Sequence, residues 1–383
     1  LIIKNKMLRQ LKKYREHLLV LILIVSSGNP LFVLSPHVRE LYIGTVFLLL
    51  WLKQRRVMSL YIKYSVPFIF ISLFQMLLFP DYSISSGVYL LLKIFIGALI
   101  MMEVGRKFAK IYVDIMVVVA TISIPFFFYN EYVGFIPGIS FTDIGTSLVV
   151  YTQLFSDYGG FIHRNAGMFW EPGAYQGYLN FAILFYLLMN NGATRIFSNW
   201  KFVVLLIALF TTKSTTGYAV LAFIILYYFL YYYRGKIMVK LLFLFVLVCS
   251  CLYAYYSLDF LGEKIQRQMN QGQDEGGRFN DFVKYASYIY DYFFLGNPTI
   301  VGTTIASGNG FLSFLFYYGI WGILYYFIAL WHNIHQQVDL HTTAFFVGVT
   351  IISLQGEGFI FYPCYLAWPF IHLSMKNKIL LKE

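Results

Sequence analysis

Apolar residues form long runs along this chain, and short charged or Gly/Pro-rich segments separate them from His17 to Met375. A membrane-spanning helix needs about 20 mostly apolar residues. The pattern therefore predicts an all-α, polytopic integral membrane protein with about twelve transmembrane helices. The predicted spans are residues 17–34, 38–52, 64–80, 86–102, 111–129, 173–189, 196–212, 216–233, 239–258, 309–330, 342–355 and 358–374.

Composition also favours a membrane environment. Of 383 residues, 59% are hydrophobic and 12% are charged, and the mean hydropathy is +0.66, whereas soluble domains carry about 25% charged residues. The first apolar run follows a basic stretch that lacks a small-residue cleavage site. We therefore expect an uncleaved first helix rather than a signal peptide.

Lys and Arg residues are concentrated in every second segment between the predicted spans. With a cytoplasmic N-terminus, the cytoplasmic segments carry most of the 29 Lys and Arg residues, as the positive-inside rule requires. We predict one transmembrane domain over 1–383, with both termini cytoplasmic. The net charge of +11 then reflects the orientation of the protein in the membrane, and we do not expect nucleic acid as a partner.

This topology leaves two long extracytoplasmic loops, 130–172 and 259–308. Long structured loops on one face commonly carry function. In the second loop, apolar residues recur at helical spacing after Gly276 and Gly277, and polar residues fall on the other side. We predict an amphipathic helix that lies at the outer interface and ends before Gly296.

The motif HRNAGMFWEPGAYQGYLNF, residues 163–181, precedes a predicted span. Pro172 suits the first turn of a helix, and Glu171 then occupies the cap position. In a functional interpretation, Arg164 holds a phosphate or sugar and Glu171 is a general base or a ligand of a sugar hydroxyl. The alternative is a helix cap with an Arg–Glu ion pair that holds the loop.

The segment TTKSTTGYAV, residues 211–220, is a hydroxyl-rich turn between two apolar runs. Backbone amides and the hydroxyls of Ser214, Thr215 and Thr216 at a helix start can bind an anion, and Lys213 adds a point charge. An ordinary Ser/Thr cap beside a lysine that reaches toward water explains the same pattern.

Two further charged residues lie in the outer segments. Arg278, at the head of the predicted interfacial helix, could contact lipid phosphates in general or one lipid pyrophosphate. Glu357 lies in the tight turn QGEGFIFYP, where a solvated carboxylate is the simpler explanation. Neither outer loop contains a metal-binding or nucleotide-binding motif, so we expect neither a metal nor a cofactor.

The ordered motifs RNAGMFWEP, TKSTTG, GGR, GNG and YGIWG resemble those of the bacterial O-antigen polymerase and ligase superfamily, closest to the Wzy-like polysaccharide polymerases. The resemblance implies a metal-independent glycosyltransferase with a GT-C-like fold in the bacterial cytoplasmic membrane. The implied substrate is an oligosaccharide linked to undecaprenyl pyrophosphate on the outer face. Membrane lipid and a chain-length regulator or flippase are the implied partners.

The same resemblance assigns roles to individual residues. Arg278 matches an arginine that heads the loop helix in the ligase branch, whereas Thr215 stands where that branch has a second arginine. Asn309 lies where ligases place a catalytic histidine, which favours a polymerase. We therefore expect Arg278 and Arg164 to hold the pyrophosphate and Glu171 to meet the acceptor hydroxyl. Lys213, Ser214, Thr215, Thr216, Asn309 and Glu357 are expected to bind substrate.

Other functions fit the same topology. A flippase for lipid-linked sugars would line a central cavity with charged groups, and Lys93 and Asp114 are nearly the only candidates within the predicted spans. A ligase that joins the polysaccharide to another acceptor is also compatible, because fold alone does not select an acceptor. A non-enzymatic scaffold agrees least with Arg and Glu at outer helix starts.

Overall fold

Helices form most of the protein, which confirms the coarse prediction from its apolar runs. The structure, a computed structural model, describes residues 2–54, 59–142, 144–155, 163–190, 198–233, 236–242, 244–246, 281–302, 305 and 307–375. The named helices are α1 (Ile2–Gly28), α2 (Pro30–Val33), α3 (Val38–Leu52), α4 (Ser59–Leu78), α5 (Ile84–Val104), α6 (Phe108–Tyr132), α7 (Pro172–Met189), α8 (Trp200–Thr211), α9 (Thr215–Tyr231), α10 (Asp281–Lys284), α11 (Ala286–Asp291), α12 (Gly310–His335) and α13 (Leu340–Gly356).

Three helical stretches in the described part of the chain are long and apolar enough to cross a membrane. They are Ser59–Leu78, Ile84–Tyr132 and Gly310–His335. The second contains α5 and α6, joined by a 3₁₀ turn over Gly105–Lys107. The structure thus agrees with a membrane protein, and the count of twelve spans stays a prediction.

Local sequence signals place several helix boundaries correctly. The predicted span 38–52 coincides with α3, and Pro172 opens α7 with Glu171 at the N-cap. Ser214 caps α9, because its Oγ accepts a hydrogen bond from Gly217 N at 3.4 Å. The predicted span 239–258 lies mostly outside the described residues.

The prediction of one continuous helix over 358–374 is wrong. Beyond Gly358 the chain forms short turns, because prolines at 363 and 369 fix φ and remove backbone donors. These turns are Phe359–Phe361, Pro363–Leu366, Trp368–Phe370 and His372–Met375. The segment is nevertheless buried against α1, α5 and α12. Its irregular backbone therefore needs partners inside the protein, and Cys364 N donates to Ser27 Oγ at 2.8 Å.

A small antiparallel sheet lies in the predicted loop 130–172, so the chain is not purely helical. The strands are β1 (Ile139–Thr142), β2 (Gly145–Ser147) and β3 (Thr152–Leu154), paired in that order. Thr152 N donates to Gly167 O at 2.6 Å, and Asn29 Nδ2 donates to Val149 O at 2.7 Å. These bonds fasten the sheet to the loop before α7 and to the end of α1.

Hydrogen bonds hold three helix ends together beside this sheet. Trp170 N donates to Gly28 O at 3.1 Å, and Asn165 N donates to Thr211 O at 2.9 Å. The end of α1, the start of α7 and the end of α8 therefore meet at one end of the bundle, which we call the sheet end.

Ion pairs hold helices together at the opposite end. Lys107 Nζ lies 2.8 Å from a Glu16 carboxylate oxygen, and Arg15 lies 3.3 Å from that of Glu103. Both carboxylates are buried. Losing either cation would remove a charged partner from a buried carboxylate and destabilise this end of the bundle. These pairs join α1 to the α5–α6 junction.

Helix α12 bends sharply at Gly319, where φ is +63° and ψ is −172°. The bend removes backbone groups from the helical ladder, and neighbouring segments satisfy them. Ile320 N donates to Phe293 O at 2.8 Å, and Gln75 Nε2 donates to Tyr317 O at 2.6 Å. The kink therefore joins α12 to α4 and to the segment after α11.

The predicted interfacial helix is two short helices, α10 and α11, in the described part of its range. The polar residues Asp281 and Tyr288 are buried, whereas Lys284 and Asp291 are exposed. The side chains of Val283 and Tyr290 are 61% and 86% exposed. Polar and apolar side chains therefore both contribute to the exposed surface of this segment. Gly276, Gly277 and Arg278 lie outside the described residues.

Candidate functional site

The start of α7 presents a carboxylate at the sheet end. Glu171 is the N-cap residue with extended backbone, φ −160° and ψ 163°, but its side chain does not cap the helix. Instead, Glu171 Oε1 accepts a hydrogen bond from Trp170 Nε1 at 3.1 Å. Glu171 is half-buried. A carboxylate at this position can accept hydrogen bonds from sugar hydroxyls.

A second carboxylate lies against the first turn of the same helix. Glu357 ends α13 and is buried, at 8% exposure. A Cβ added to Gly173 would lie 2.2 Å from Glu357 Oε1. Glycine at this position therefore permits the close approach of the Glu357 carboxylate to α7.

Tyr362 packs on the tryptophan that holds Glu171, since Trp170 Nε1 is the donor to the Glu171 carboxylate. The rings of Tyr362 and Trp170 are 4.8 Å apart, centroid to centroid. The aromatic pair thus forms one wall of the carboxylate site and restricts the position of Glu171.

The loop before α7 reaches the turn between α8 and α9. Arg164 Nε donates to Thr212 O at 2.9 Å, and Asn165 Nδ2 donates to Thr211 Oγ1 at 2.9 Å. Lys213 has φ +48°, an uncommon conformation for a residue other than glycine. In the described part of the chain, Glu171 has no ion pair with Arg164, so the alternative of an Arg164–Glu171 bridge is not observed.

The predicted hydroxyl-rich turn lies next to Glu357. Ser214 caps α9, and Thr215 and Thr216 open the helix. A Cβ on Gly356 would lie 2.4 Å from the Thr216 methyl group, so the start of α9 packs directly on the end of α13. The cap interpretation of Ser214 is thus observed, and the turn also adjoins the carboxylate site.

Asn309, the N-cap residue of α12, lies beside the end of α13. Its Oδ1 accepts a hydrogen bond from Leu312 N at 3.1 Å and caps the helix, while its Nδ2 donates to Gln355 Oε1 at 2.7 Å. A Cβ on Gly310 would lie 2.2 Å from Glu357 O. Asn309 therefore holds the start of α12 against the end of α13.

A cavity of about 510 Å³ opens on the other side of Tyr362. Its charged lining residues are Arg39 and Lys93, which sequence reasoning did not select as site residues. Lys93 Nζ lies 5.3 Å from the Tyr42 ring centroid and 5.9 Å from that of Tyr362. A lysine within an apolar run was the one signal that pointed here, because charges in such runs are costly and commonly functional.

Serine hydroxyls form the polar part of the cavity wall. Ser86, Ser307 and Ser313 line it. The Ser307 hydroxyl donates to the buried carboxylate of Asp281, and Ser313 Oγ donates to Ser307 O at 2.8 Å. This network fixes α10 and the start of α12 beside the cavity.

Eight of the nine residues selected from the sequence thus gather at the sheet end, around the start of α7 and the end of α13. Arg278, the ninth, lies outside the described residues. Within the described ranges, no group of three or more His, Cys, Asp or Glu side chains is arranged to hold a metal ion.

Comparison of the chain with protein-family models, curated proteins and solved structures finds no match in any of the three.

Proposed function

We propose that the protein spans the bacterial cytoplasmic membrane about twelve times, with a GT-C-like fold and cytoplasmic termini. Long apolar helices support this proposal. So does the surface of α3 and α4, where Phe47, Trp51 and Leu77 are 68–80% exposed and suit contact with lipid. The sheet end would then face outward, because the positive-inside rule places the basic segments at the opposite end.

We further propose that the protein is a polysaccharide polymerase acting on lipid-linked repeat units. The observation that carries this proposal is the meeting of two carboxylates, Glu171 and Glu357, at the start of α7. Residues from separate sequence motifs, including Thr216 and Asn309, pack around the same point. Such convergence at one end of an apolar bundle suits a one-sided membrane enzyme.

The proposed reaction forms a glycosidic bond and needs no metal. The acceptor hydroxyl oxygen attacks the anomeric carbon of the donor glycan, and the anomeric carbon–phosphate oxygen bond breaks. Glu171 takes the hydroxyl proton, and undecaprenyl pyrophosphate leaves with the bonding electron pair. Glu357 holds a hydroxyl of the acceptor sugar. Because pyrophosphate is already a good leaving group, positioning and charge neutralisation supply most of the acceleration.

The cations chosen from the sequence remain the proposed partners of one pyrophosphate. Lys213 and Arg164 lie on the α9 side of Glu357, where Arg164 is held through Thr212 O. Arg278 completes the set in this proposal.

Complementation of a gene deletion tests the polymerase. The surface polysaccharide of the deletion strain is separated on a gel after rescue with wild type, Glu171→Gln or Glu357→Gln. Glu40→Gln is the matched control, because Glu40 is an exposed carboxylate in the first turn of α3. We expect single repeat units instead of long chains in the deletion, and no rescue by Glu171→Gln. Full-length chains with Glu171→Gln at normal protein level would refute the assignment.

The same gel experiment distinguishes a polymerase from a ligase and from a flippase. Long chains that persist unattached in the deletion strain indicate a ligase. A flippase is favoured by one observation, the Lys93 cavity, and predicts lipid-linked units that accumulate on the cytoplasmic face. The other charge named from the sequence, Asp114, already pairs with Lys201 at 2.6 Å.

A further inference from the structure

The Arg39–Lys93 cavity has a positive electrostatic character. Arg39 and Lys93 are its only charged residues among the described lining residues. Both cations lie near aromatic rings: Arg39 Cζ is 5.4 Å from the Tyr89 centroid, and Lys93 approaches Tyr42 and Tyr362. Ring faces compensate a cation only partly. Two cations in one cavity therefore favour an anionic ligand.

The remaining lining residues indicate what kind of anion fits. Ser86, Tyr89 and Lys93 follow one face of α5, and the same cavity is lined by Ser307, which precedes α12, and by Ser313 in the first turns of α12. The Ser307 and Ser313 hydroxyls already donate within the protein. The Ser86 hydroxyl and the two cations are therefore the donors offered to a ligand, and they match phosphate oxygens, which accept several hydrogen bonds at once. The volume of about 510 Å³ lies within the range of about 300–1,000 Å³ that is typical of small-molecule sites.

The cavity adjoins the carboxylate site through three consecutive residues. Gly356 contacts Thr216 on the α9 side, Glu357 lies against Gly173, and Gly358 lines the cavity. Tyr362 also links the two places, since it lines the cavity and packs on Trp170, which donates to Glu171. The turn that carries Lys213 therefore adjoins the residue before Glu357, and the residue after Glu357 lines the Arg39–Lys93 cavity.

We propose that the Arg39–Lys93 cavity binds a diphosphate group, that of the second lipid-linked substrate. Transfer between two carrier-linked glycans requires two diphosphates near one set of carboxylates, and this cavity supplies the place for the second. Lys93 is a binding residue in this proposal, held in place by Tyr42 and Tyr362. The identity of the ligand as a carrier lipid rests on the proposed function, whereas the diphosphate site does not.

Calorimetry on the purified full-length protein with inorganic pyrophosphate tests the site. We expect wild type to bind pyrophosphate, and Lys93→Met and Arg39→Gln to bind it at least about tenfold more weakly, as expected for loss of a charge-assisted hydrogen bond. Lys284→Met is the matched control, because Lys284 is an exposed cation on α10 outside the cavity lining. Lys93→Arg should retain binding. Unchanged binding in both Lys93→Met and Arg39→Gln overturns the proposal.

Competition distinguishes the source of the diphosphate. Undecaprenyl phosphate in nanodiscs should displace pyrophosphate from wild type, while uncharged undecaprenol should not. Displacement by a soluble nucleoside diphosphate sugar alone overturns the assignment to a lipid carrier. If Lys93→Met aggregates during gel filtration, the exposed Arg39 position gives the same measurement through Arg39→Gln.

The outcome is separable from that of the polymerase proposal. If pyrophosphate binding depends on Lys93 but Glu171→Gln still makes long chains, the anion site stands and the polymerase mechanism fails. If Glu171→Gln abolishes chains but Lys93→Met and Arg39→Gln both bind pyrophosphate normally, the cavity proposal fails and the polymerase stands.

Discussion

The Glu357 carboxylate lies against Gly173, so that a Cβ there would be 2.2 Å from Glu357 Oε1. This approach joins the end of α13 to the first turn of α7. It also brings a residue from the turn QGEG next to the motif WEPG, although nearly 200 residues separate them in the chain. The candidate site depends on this contact.

Gly173→Ala should disable the site with little effect on folding. The added methyl group must displace the Glu357 carboxylate, and a misplacement of about 1 Å can cost on the order of 100-fold in rate. We expect the yield of long chains to fall at least about tenfold, measured on gels and by sugar analysis.

Gly44→Ala is the control for this change. A Cβ at Gly44, on α3, meets nothing within 4 Å. Alanine in a helix is favoured over glycine by about 0.5–1 kcal/mol, so this variant should assemble normal chains. Equal chain yields from the two variants would contradict the proposed role of Glu357.

Trp170→Phe should slow chain growth, because it removes one hydrogen-bond donor to Glu171. Phenylalanine keeps an aromatic ring against Tyr362 but removes the Nε1 donor to Glu171. A hydrogen bond to a charged group contributes about 1.5–3 kcal/mol, which corresponds to about tenfold or more in rate. Initial rates of chain growth in isolated membranes measure the loss. A rate equal to that of wild type would show that Trp170 does not position Glu171.

Gln75→Leu should destabilise the kink of α12 rather than the site chemistry. Gln75 Nε2 donates to Leu295 O at 2.7 Å and to Tyr317 O at 2.6 Å, and the side chain is 0% exposed. Leaving buried carbonyls without donors costs about 1–3 kcal/mol each. The free energy of unfolding in detergent should fall by about 2 kcal/mol or more.

The control for Gln75→Leu is Gln54→Leu, because Gln54 is exposed at the opposite end of the bundle. A loss of stability in Gln54→Leu as large as that in Gln75→Leu would show that the lost amide bonds are not the cause.

Gly319→Ala should prevent correct folding. Gly319 has positive φ, and its Cβ would lie 2.2 Å from Phe294 O, a backbone atom that a rotamer change cannot move. We expect little monodisperse protein on gel filtration, while Gly44→Ala elutes normally. Normal yield of Gly319→Ala would show that α12 does not need this bend.

Local sequence signals determined much of the helical framework. The apolar run over 38–52 became α3 with the same bounds, and Glu171 and Pro172 open α7 as predicted. Ser214 caps α9 as its residue type suggests. These features depend on short-range effects, namely helical periodicity, proline geometry and side-chain capping, which a few neighbouring residues specify.

Long-range contacts decided the rest. Thr152 pairs within a sheet that the sequence did not predict, and the segment after Gly358 stays buried although its prolines break the helix. Arg39 and Lys93 come from different helices, so only packing brings them to one cavity beside Tyr362. The sequence by itself determined which segments are apolar helices and which polar residues lie at their ends. Only the tertiary structure decided which of those ends meet, because the contacts that join them link residues far apart in the chain.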